Sequence, residues 1–291
     1  MPKILNGKEV AEKILASLPK MNGEELAIIS VGHDEASQRY VRNKIRACEK
    51  KGLRGHHYQF DPEQVTRKNL EEFIISLQQT TNLAGIIVQQ PYPEEFEGIE
   101  DFIQPGYDVD GLGFCNMGKT LAGKKPDFYP ATPLGIIEIL KHYNIPIEGK
   151  SVTIIGRSDI VGRPLAAMMD AENATVTLCH SKTVDLNIHT KTADIIVTAV
   201  GKPGFLTSKH LLPSYPCCPV YLGPVIIDVG TNICEGGKLC GDVDFESVSP
   251  LADKFTPVPG GVGPVTVAML VRNAIWAVLR RRKEVQNEHT K

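Results

Sequence analysis

Ser37, Tyr40 and Lys44 fall at i, i+3 and i+7, a spacing that sets all three on one face of a helix. A tyrosine and a lysine four residues apart can stack on a flat ring and hold an ammonium beside it. A lysine whose pKa is lowered by partial burial can also move protons. Taken alone, the same stripe fits a solvated amphipathic face better. Gln89-Gln90-Pro91-Tyr92-Pro93 closes the apolar run 84–88, at the carboxyl end of a strand, where α/β sites gather. Asp108-Val109-Asp110-Gly111 is a carboxylate-rich turn suited to hydrogen-bonding an amino-substituted heterocycle. It can also be a plain turn; a metal is disfavoured there, since no third carboxylate or histidine lies near in sequence. Pro259, Gly260 and Gly261 belong to a rigid, glycine-rich segment opening the last helical stretch, and such glycines let a backbone approach a ligand or act as a hinge.

A second chemistry is written around residue 156. The run 152–155 leads straight into Gly156-Arg157-Ser158-Asp159-Ile160-Val161-Gly162-Arg163-Pro164. Strand, glycine turn and helix N-terminus together present free N–H groups and a positive dipole end, which suits a pyrophosphate. The usual GxGxxG is absent, and a structural turn would use the same residues. The end of the next strand discriminates further. An NAD site usually carries Asp or Glu there for the ribose 2′-hydroxyl, whereas this chain has Cys179-His180-Ser181-Lys182-Thr183. Hydroxyl and cationic groups at that place favour NADP over NAD; an ordinary polar loop is the alternative.

The elements that must position these groups alternate between strand and helix. Residues 26–31, 55–60 and 84–88 are expected as strands, 36–51 as a helix ended by Gly52, and 67–79 as a helix. The stretch 91–129 is expected to be loop-rich. Thr132 followed by Pro133 is expected to cap and open a helix. Strands are then expected at 152–155, 175–178, 194–199 and 225–229, with a long final helix over 264–280. This rhythm indicates an α/β fold with parallel sheets. It divides into a domain of 1–130 plus 264–291 and a Rossmann-like domain of 131–263, with a bridging helix near 132–143.

The chain has 291 residues, enough for two ordinary cores. Its net charge of −2 offers no footprint for nucleic acid or an anionic membrane. The block Arg280-Arg281-Arg282-Lys283 is expected to be a solvated helix end. Seven cysteines at irregular spacing, with no CxxC pair, indicate neither a disulfide framework nor a zinc site, and hence a reducing compartment. The N-terminus lacks a signal-peptide core, and no apolar stretch approaches the roughly 20 residues of a membrane span. A cytoplasmic protein is expected, unless a targeting segment has been removed.

Taken in order, the segments SQRYVRNKIRACEKKG (37–52), GIIVQQPYP (85–93), DVDGLG (108–113), TPLG (132–135), GRSDIVGRP (156–164), HSKT (180–183), DVGTN (228–232), GDVDF (241–245) and TPVPGGVGPVTVAML (256–270) resemble the bifunctional methylenetetrahydrofolate dehydrogenase/methenyltetrahydrofolate cyclohydrolase family over nearly the whole chain. The resemblance implies two α/β domains flanking a cleft, the second Rossmann-like and NADP-binding. A homodimer joined through the nucleotide domains is also implied. It implies NADP-dependent oxidation of 5,10-methylene- to 5,10-methenyltetrahydrofolate, then hydrolysis to 10-formyltetrahydrofolate, in one-carbon metabolism and purine biosynthesis. By it, the family's lysine falls on Lys44, its stacking tyrosine on Tyr40, its glutamine on Gln89 and its pterin-binding aspartate on Asp110. Pro259, Gly260 and Gly261 join these on the substrate side. Gly156, Arg157, Ser158, Ser181 and Thr231 fall to the nucleotide. Two segments depart from the pattern: PATP (130–133) stands for PCTP, and VQQPYP (88–93) for VQLPLP. The segment 214–219, with Cys217 and Cys218, is also atypical. Alternatives are a member with one of the two activities, or a folate- or nucleotide-binding regulator without turnover.

Overall fold

The computed structural model describes residues 2–212 and 223–288; the atypical 214–219 segment lies outside the described residues. The chain forms two compact units. One comprises Glu12–Thr120, Lys124–Ala131 and Val267–Lys291; the other comprises Met1–Ala11, Leu121–Gly123 and Thr132–Thr266. The N-terminal residues, expected in the first domain, group with the second unit. The reason is backbone pairing, because Lys3–Ile4 runs parallel to Lys254–Phe255.

In the first unit, Glu25–Val31 lies between Arg54–Phe60 and Leu83–Gln89, and both pairings are parallel. The central strand is buried along its whole length, as expected of a parallel strand covered on both faces. Ala27, Ile29, Val31, Ile86 and Val88 pack on Leu70 and Ile74 of the helix Arg67–Leu77. Thr66 starts that helix, its hydroxyl accepting from the Asn69 N–H at 3.2 Å. The loop-rich stretch holds two 3-10 turns, Glu94–Phe96 and Ile99–Phe102, and a helix, Phe114–Leu121.

The closing helix, Val262–Glu288, is longer than expected. Contrary to the sequence reading, it is long and apolar enough to cross a membrane by length and composition. Ala268, Met269, Leu270, Val271, Ala274 and Ile275 are buried within the protein, so it serves as a core helix. Its basic run is not simply solvated. Arg280 pairs with Asp127 and Arg282 with Glu24. Arg281 lies 4.2 Å over the Tyr107 ring and donates to the Gly106 and Ala84 carbonyls at 2.9 and 3.0 Å.

The second unit carries a six-stranded parallel sheet in the order Lys3–Ile4, Lys254–Phe255, Val225–Asp228, Ile195–Thr198, Ser151–Ile155, Thr175–Cys179. Ile155, Ile196, Ile226 and Phe255 form the centre of one face. The helix Ala131–His142 begins before Thr132, so Thr132 is not its cap; its hydroxyl instead accepts from Thr266 Oγ1 at 3.2 Å. A hairpin pairs Asn232–Ile233 with Leu239–Cys240, and Cys234 and Cys240 are joined by a disulfide. The irregular cysteine spacing indicates no disulfide framework, and this one bridge departs from that expectation. Cys48, Cys115 and Cys179 are free.

Candidate active site

Each sheet builds its site where strand order reverses about the first strand of a βαβ pair, the usual ligand position in open parallel sheets. In the first unit, Glu25–Val31 leads into the helix Glu35–Lys50, started by Asp34, whose carboxylate accepts from the Ser37 N–H at 2.6 Å. Ser37, Val41, Lys44 and Cys48 are all buried, a stripe at i, i+4, i+7 and i+11 that faces inward. Lys44 sits in the middle of that stripe and is only 8% exposed. The solvated-face alternative therefore fails at the residue that matters most.

Gln89 ends the neighbouring strand and meets Lys44 there. Lys44 Nζ donates to Gln89 Oε1 at 2.9 Å, while Gln89 Nε2 donates to the Gln90 carbonyl at 2.6 Å. The second bond decides which end of the amide faces the lysine. Ser37 Oγ donates to that same Gln90 carbonyl at 3.2 Å. Burial pushes the Lys44 pKa below the ordinary lysine range, against the pull of the Asp110 carboxylate. Asp110 is pushed up by burial, with Lys44 opposing. Burial thus favours the neutral form of both groups. Tyr40 lies half-buried on the same helix, one turn before Lys44. Cys48, one turn beyond, is pushed up to about 12 by burial and stays a thiol.

The two carboxylates of the DVD turn divide their work. Asp108 is 2% exposed and accepts from the N–H groups of Gly111 (3.0 Å) and Gly113 (2.9 Å) and from Asn116 Nδ2 (3.0 Å). It knots the turn, and burial raises its pKa to about 6. Asp110 is left as the carboxylate beside Lys44.

In the second unit, Ser151–Ile155 ends at Gly156, whose φ is +116° and where a Cβ would lie 2.1 Å from the Ala199 carbonyl oxygen. Only glycine fits this switch point. A Cβ on Gly162 would lie 1.9 Å from the Gly156 oxygen, so the helix Gly162–Ala171 starts tight against the turn. No side chain caps that helix, which leaves its N-terminal dipole end for a ligand. Arg157, Ser158 and Ser181 are exposed at adjacent strand ends, joined by the Gly156 N–H donating to the Cys179 carbonyl at 2.9 Å. These residues fit a dinucleotide carrying an extra phosphate.

Thr231 is exposed just past Val225–Asp228. Its loop is held by two buried acids, Asp228 and Asp242, that the sequence does not mark as site residues. Asp228 accepts from the N–H groups of Gly230, Asp242 and Val243 at 2.9–3.0 Å. Asp242 accepts from Val200, Gly201 and Lys202 N–H and from Asn232 Nδ2 at 2.7–3.0 Å. The available signal was a glycine beside each acid: a Cβ on Gly241 would sit 1.8 Å from Asp228 Oδ2. Pro259, Gly260 and Gly261 fall in this unit. There the Gly7 N–H donates to the Gly260 carbonyl at 2.9 Å.

A glycine turn open to phosphate at one switch point and a buried amine–amide pair at another define a nucleotide-binding α/β protein with a buried lysine site. Comparison with known proteins narrows the class. Residues 5–110 match the tetrahydrofolate dehydrogenase/cyclohydrolase catalytic domain, and 130–282 match the NAD(P)-binding domain of the same family. The bifunctional protein FolD of Acetivibrio thermocellus is 42% identical over 97% of this chain and 98% of that protein. The Campylobacter jejuni bifunctional methylenetetrahydrofolate dehydrogenase/cyclohydrolase is 40% identical with a TM-score of 0.88, over 97% of this chain and 100% of that one. The Trypanosoma brucei enzyme, solved with NADP cofactor and an inhibitor, is 32% identical with a TM-score of 0.86, over 96% and 98%. The chain belongs to the tetrahydrofolate dehydrogenase/cyclohydrolase family. It is an NADP-dependent methylenetetrahydrofolate dehydrogenase and methenyltetrahydrofolate cyclohydrolase of one-carbon metabolism.

Proposed function

We propose that Lys44, held by Gln89, is the group that activates water and moves protons in the cyclohydrolase step, with Asp110 anchoring the pterin and Tyr40 stacking on it. The observation that carries this reading is the 2.9 Å bond from a buried Lys44 Nζ to an amide oxygen oriented by the bond from Gln89 Nε2 to the Gln90 carbonyl. Oxidation of the methylene carbon leaves a delocalised cation, and hydrolysis then needs a base beside it. A buried lysine with a lowered pKa can hold the neutral amine that role requires. The oxidation itself needs chiefly orientation of the donor carbon; NADP supplies the hydride acceptor. Its phosphates belong with Gly156, Arg157, Ser158, Ser181 and Thr231, and Pro259, Gly260 and Gly261 belong with the folate.

In domain terms, 1–130 plus 264–291 would bind folate and 131–263 NADP. A homodimer joined through the nucleotide-binding domains accords with the family. A cytoplasmic setting accords with the free thiols of Cys48, Cys115 and Cys179, and a part in purine biosynthesis accords with the family's one-carbon chemistry. The Cys234–Cys240 bridge pulls the other way.

Calorimetric titration with a non-reactive folate tests the site. Asp110→Asn and Tyr40→Ala should each weaken folate binding about tenfold or more and leave NADP binding unchanged. Unaltered folate affinity in both variants would move the substrate elsewhere.

A further inference from the structure

One buried acid near this centre has no part in the chemistry above. Glu100, in the turn Ile99–Phe102, is 6% exposed. The Tyr92 hydroxyl lies 2.8 and 2.9 Å from its two carboxylate oxygens and shares its one proton between them, and Gln90 Nε2 donates to Oε1 at 3.4 Å. These donors are neutral, so the carboxyl is buried without the compensation that a cation would bring. Apolar side chains of similar size would fill the place at lower cost. Gln90 and Tyr92 are also the two residues at which VQQPYP departs from the family pattern. The departure is therefore not two independent substitutions. It is one hydrogen-bonded cluster, with Glu100 as its acceptor.

That cluster grips the residues on either side of Pro91, and the grip reaches the Lys44 pair in two steps. The backbone carbonyl of Gln90 accepts from Gln89 Nε2 at 2.6 Å, which points Gln89 Oε1 at Lys44 Nζ. Were the 90–92 turn free to move, that carbonyl would release the amide. The amide could then present its NH2 to Lys44, setting donor against donor.

We propose that Glu100 is a positioning residue of the cyclohydrolase centre. By clamping Tyr92 and Gln90 it fixes the Gln90 carbonyl, and through it the orientation of the Gln89 amide against Lys44. The clamp depends on an oxygen acceptor at position 100, not on a negative charge. It rests on the reading of Lys44 as the hydrolytic group.

The test compares Glu100→Leu, which deletes the acceptor, with Glu100→Gln, which keeps an oxygen for the Tyr92 hydroxyl. Hydrolysis of methenyltetrahydrofolate is measured at saturation and at low substrate, with circular dichroism as the check on folding. Glu100→Leu should lose about tenfold in kcat, the cost of one misaligned hydrogen bond, with KM for the folate changed by no more than about twofold. Glu100→Gln should recover to within about threefold of wild type. Added to Lys44→Met, Glu100→Leu should cost nothing more, because groups acting through one another are not additive. Full kcat in a folded Glu100→Leu overturns the proposal. So does a Glu100→Gln as impaired as Glu100→Leu, or an additive loss in the double variant. If Glu100→Leu does not fold, Tyr92→Phe with Gln90→Leu removes both donors and carries the same expectation and the same refutation. Wild-type hydrolysis by Lys44→Met alone would instead fail the reading of Lys44, an outcome distinct from the Leu/Gln contrast at position 100.

Discussion

Replacing Gln89 with leucine isolates the contribution of the amide to the lysine. The side chain makes two hydrogen bonds, accepting from Lys44 and donating to the Gln90 carbonyl. That carbonyl keeps the Ser37 hydroxyl as a donor at 3.2 Å, so it is not orphaned, and the main loss falls on Lys44. Lys44 becomes charged as it takes the proton from water, and a hydrogen bond to a group that carries charge contributes roughly 1.5–3 kcal/mol. If all of it is expressed at the transition state, hydrolysis slows by about tenfold to about 150-fold. The assay is the decay of methenyltetrahydrofolate absorbance at saturating substrate. Dehydrogenase kcat, followed by NADPH formation, should fall much less, since hydride transfer needs no proton relay. Gln89→Glu sharpens the sign. A carboxylate there favours the ammonium and raises the Lys44 pKa, so its loss of rate should recover as pH rises. Wild-type hydrolysis by Gln89→Leu would refute the pairing as a functional one.

Other consequences can be checked alongside. Arg157→Ala should raise the KM for NADP by about tenfold or more, from the loss of a contact to a charged phosphate, and change that for NAD far less; equal changes would remove Arg157 from the 2′-phosphate. Asp108 has its folded pKa raised to about 6 from an ordinary 3.8, so the folded state keeps its proton over a window where the unfolded chain has lost it. Stability from this group therefore falls as pH rises from about 4 to about 6. The advantage of wild type over Asp108→Asn in urea unfolding should shrink across that window, by something on the order of 3 kcal/mol; a pH-independent difference would show that the carboxyl does not titrate there.

Much of the fold was legible because its strands are short runs of β-branched and apolar residues, such as Leu26–Ile29 and Val152–Ile155, broken by glycine or a helix start. Short β-branched runs of this length, bounded by breakers, suit a parallel sheet covered on both faces. The stripe of Ser37, Tyr40 and Lys44 was legible as a face, but not the depth at which Lys44 sits. Depth depends on Val41 and Cys48 turning the same side inward. Likewise, the DVD turn offered two carboxylates, and only the donors at Gly111, Gly113 and Asn116 show that Asp108 is structural. Two features escaped because they depend on distant partners: Arg281 finds the Gly106 carbonyl 175 residues away, and Lys3–Ile4 joins a sheet formed near residue 255. Glu100 is near Tyr92 in sequence, but the two meet only after the turn has folded. The Cys234–Cys240 bridge closes a hairpin whose strands are two residues each, too short for any periodicity to reveal.

The central claim is that one buried amine serves hydrolysis and not hydride transfer. It is tested most directly by following Lys44→Met forward from methylenetetrahydrofolate and NADP, recording NADPH and methenyltetrahydrofolate together. General acid–base groups supply about 10²–10⁴-fold, so NADPH should still form while methenyltetrahydrofolate accumulates and 10-formyltetrahydrofolate lags by that factor. Accumulation no greater than in wild type, with NADPH formed normally, would contradict the account.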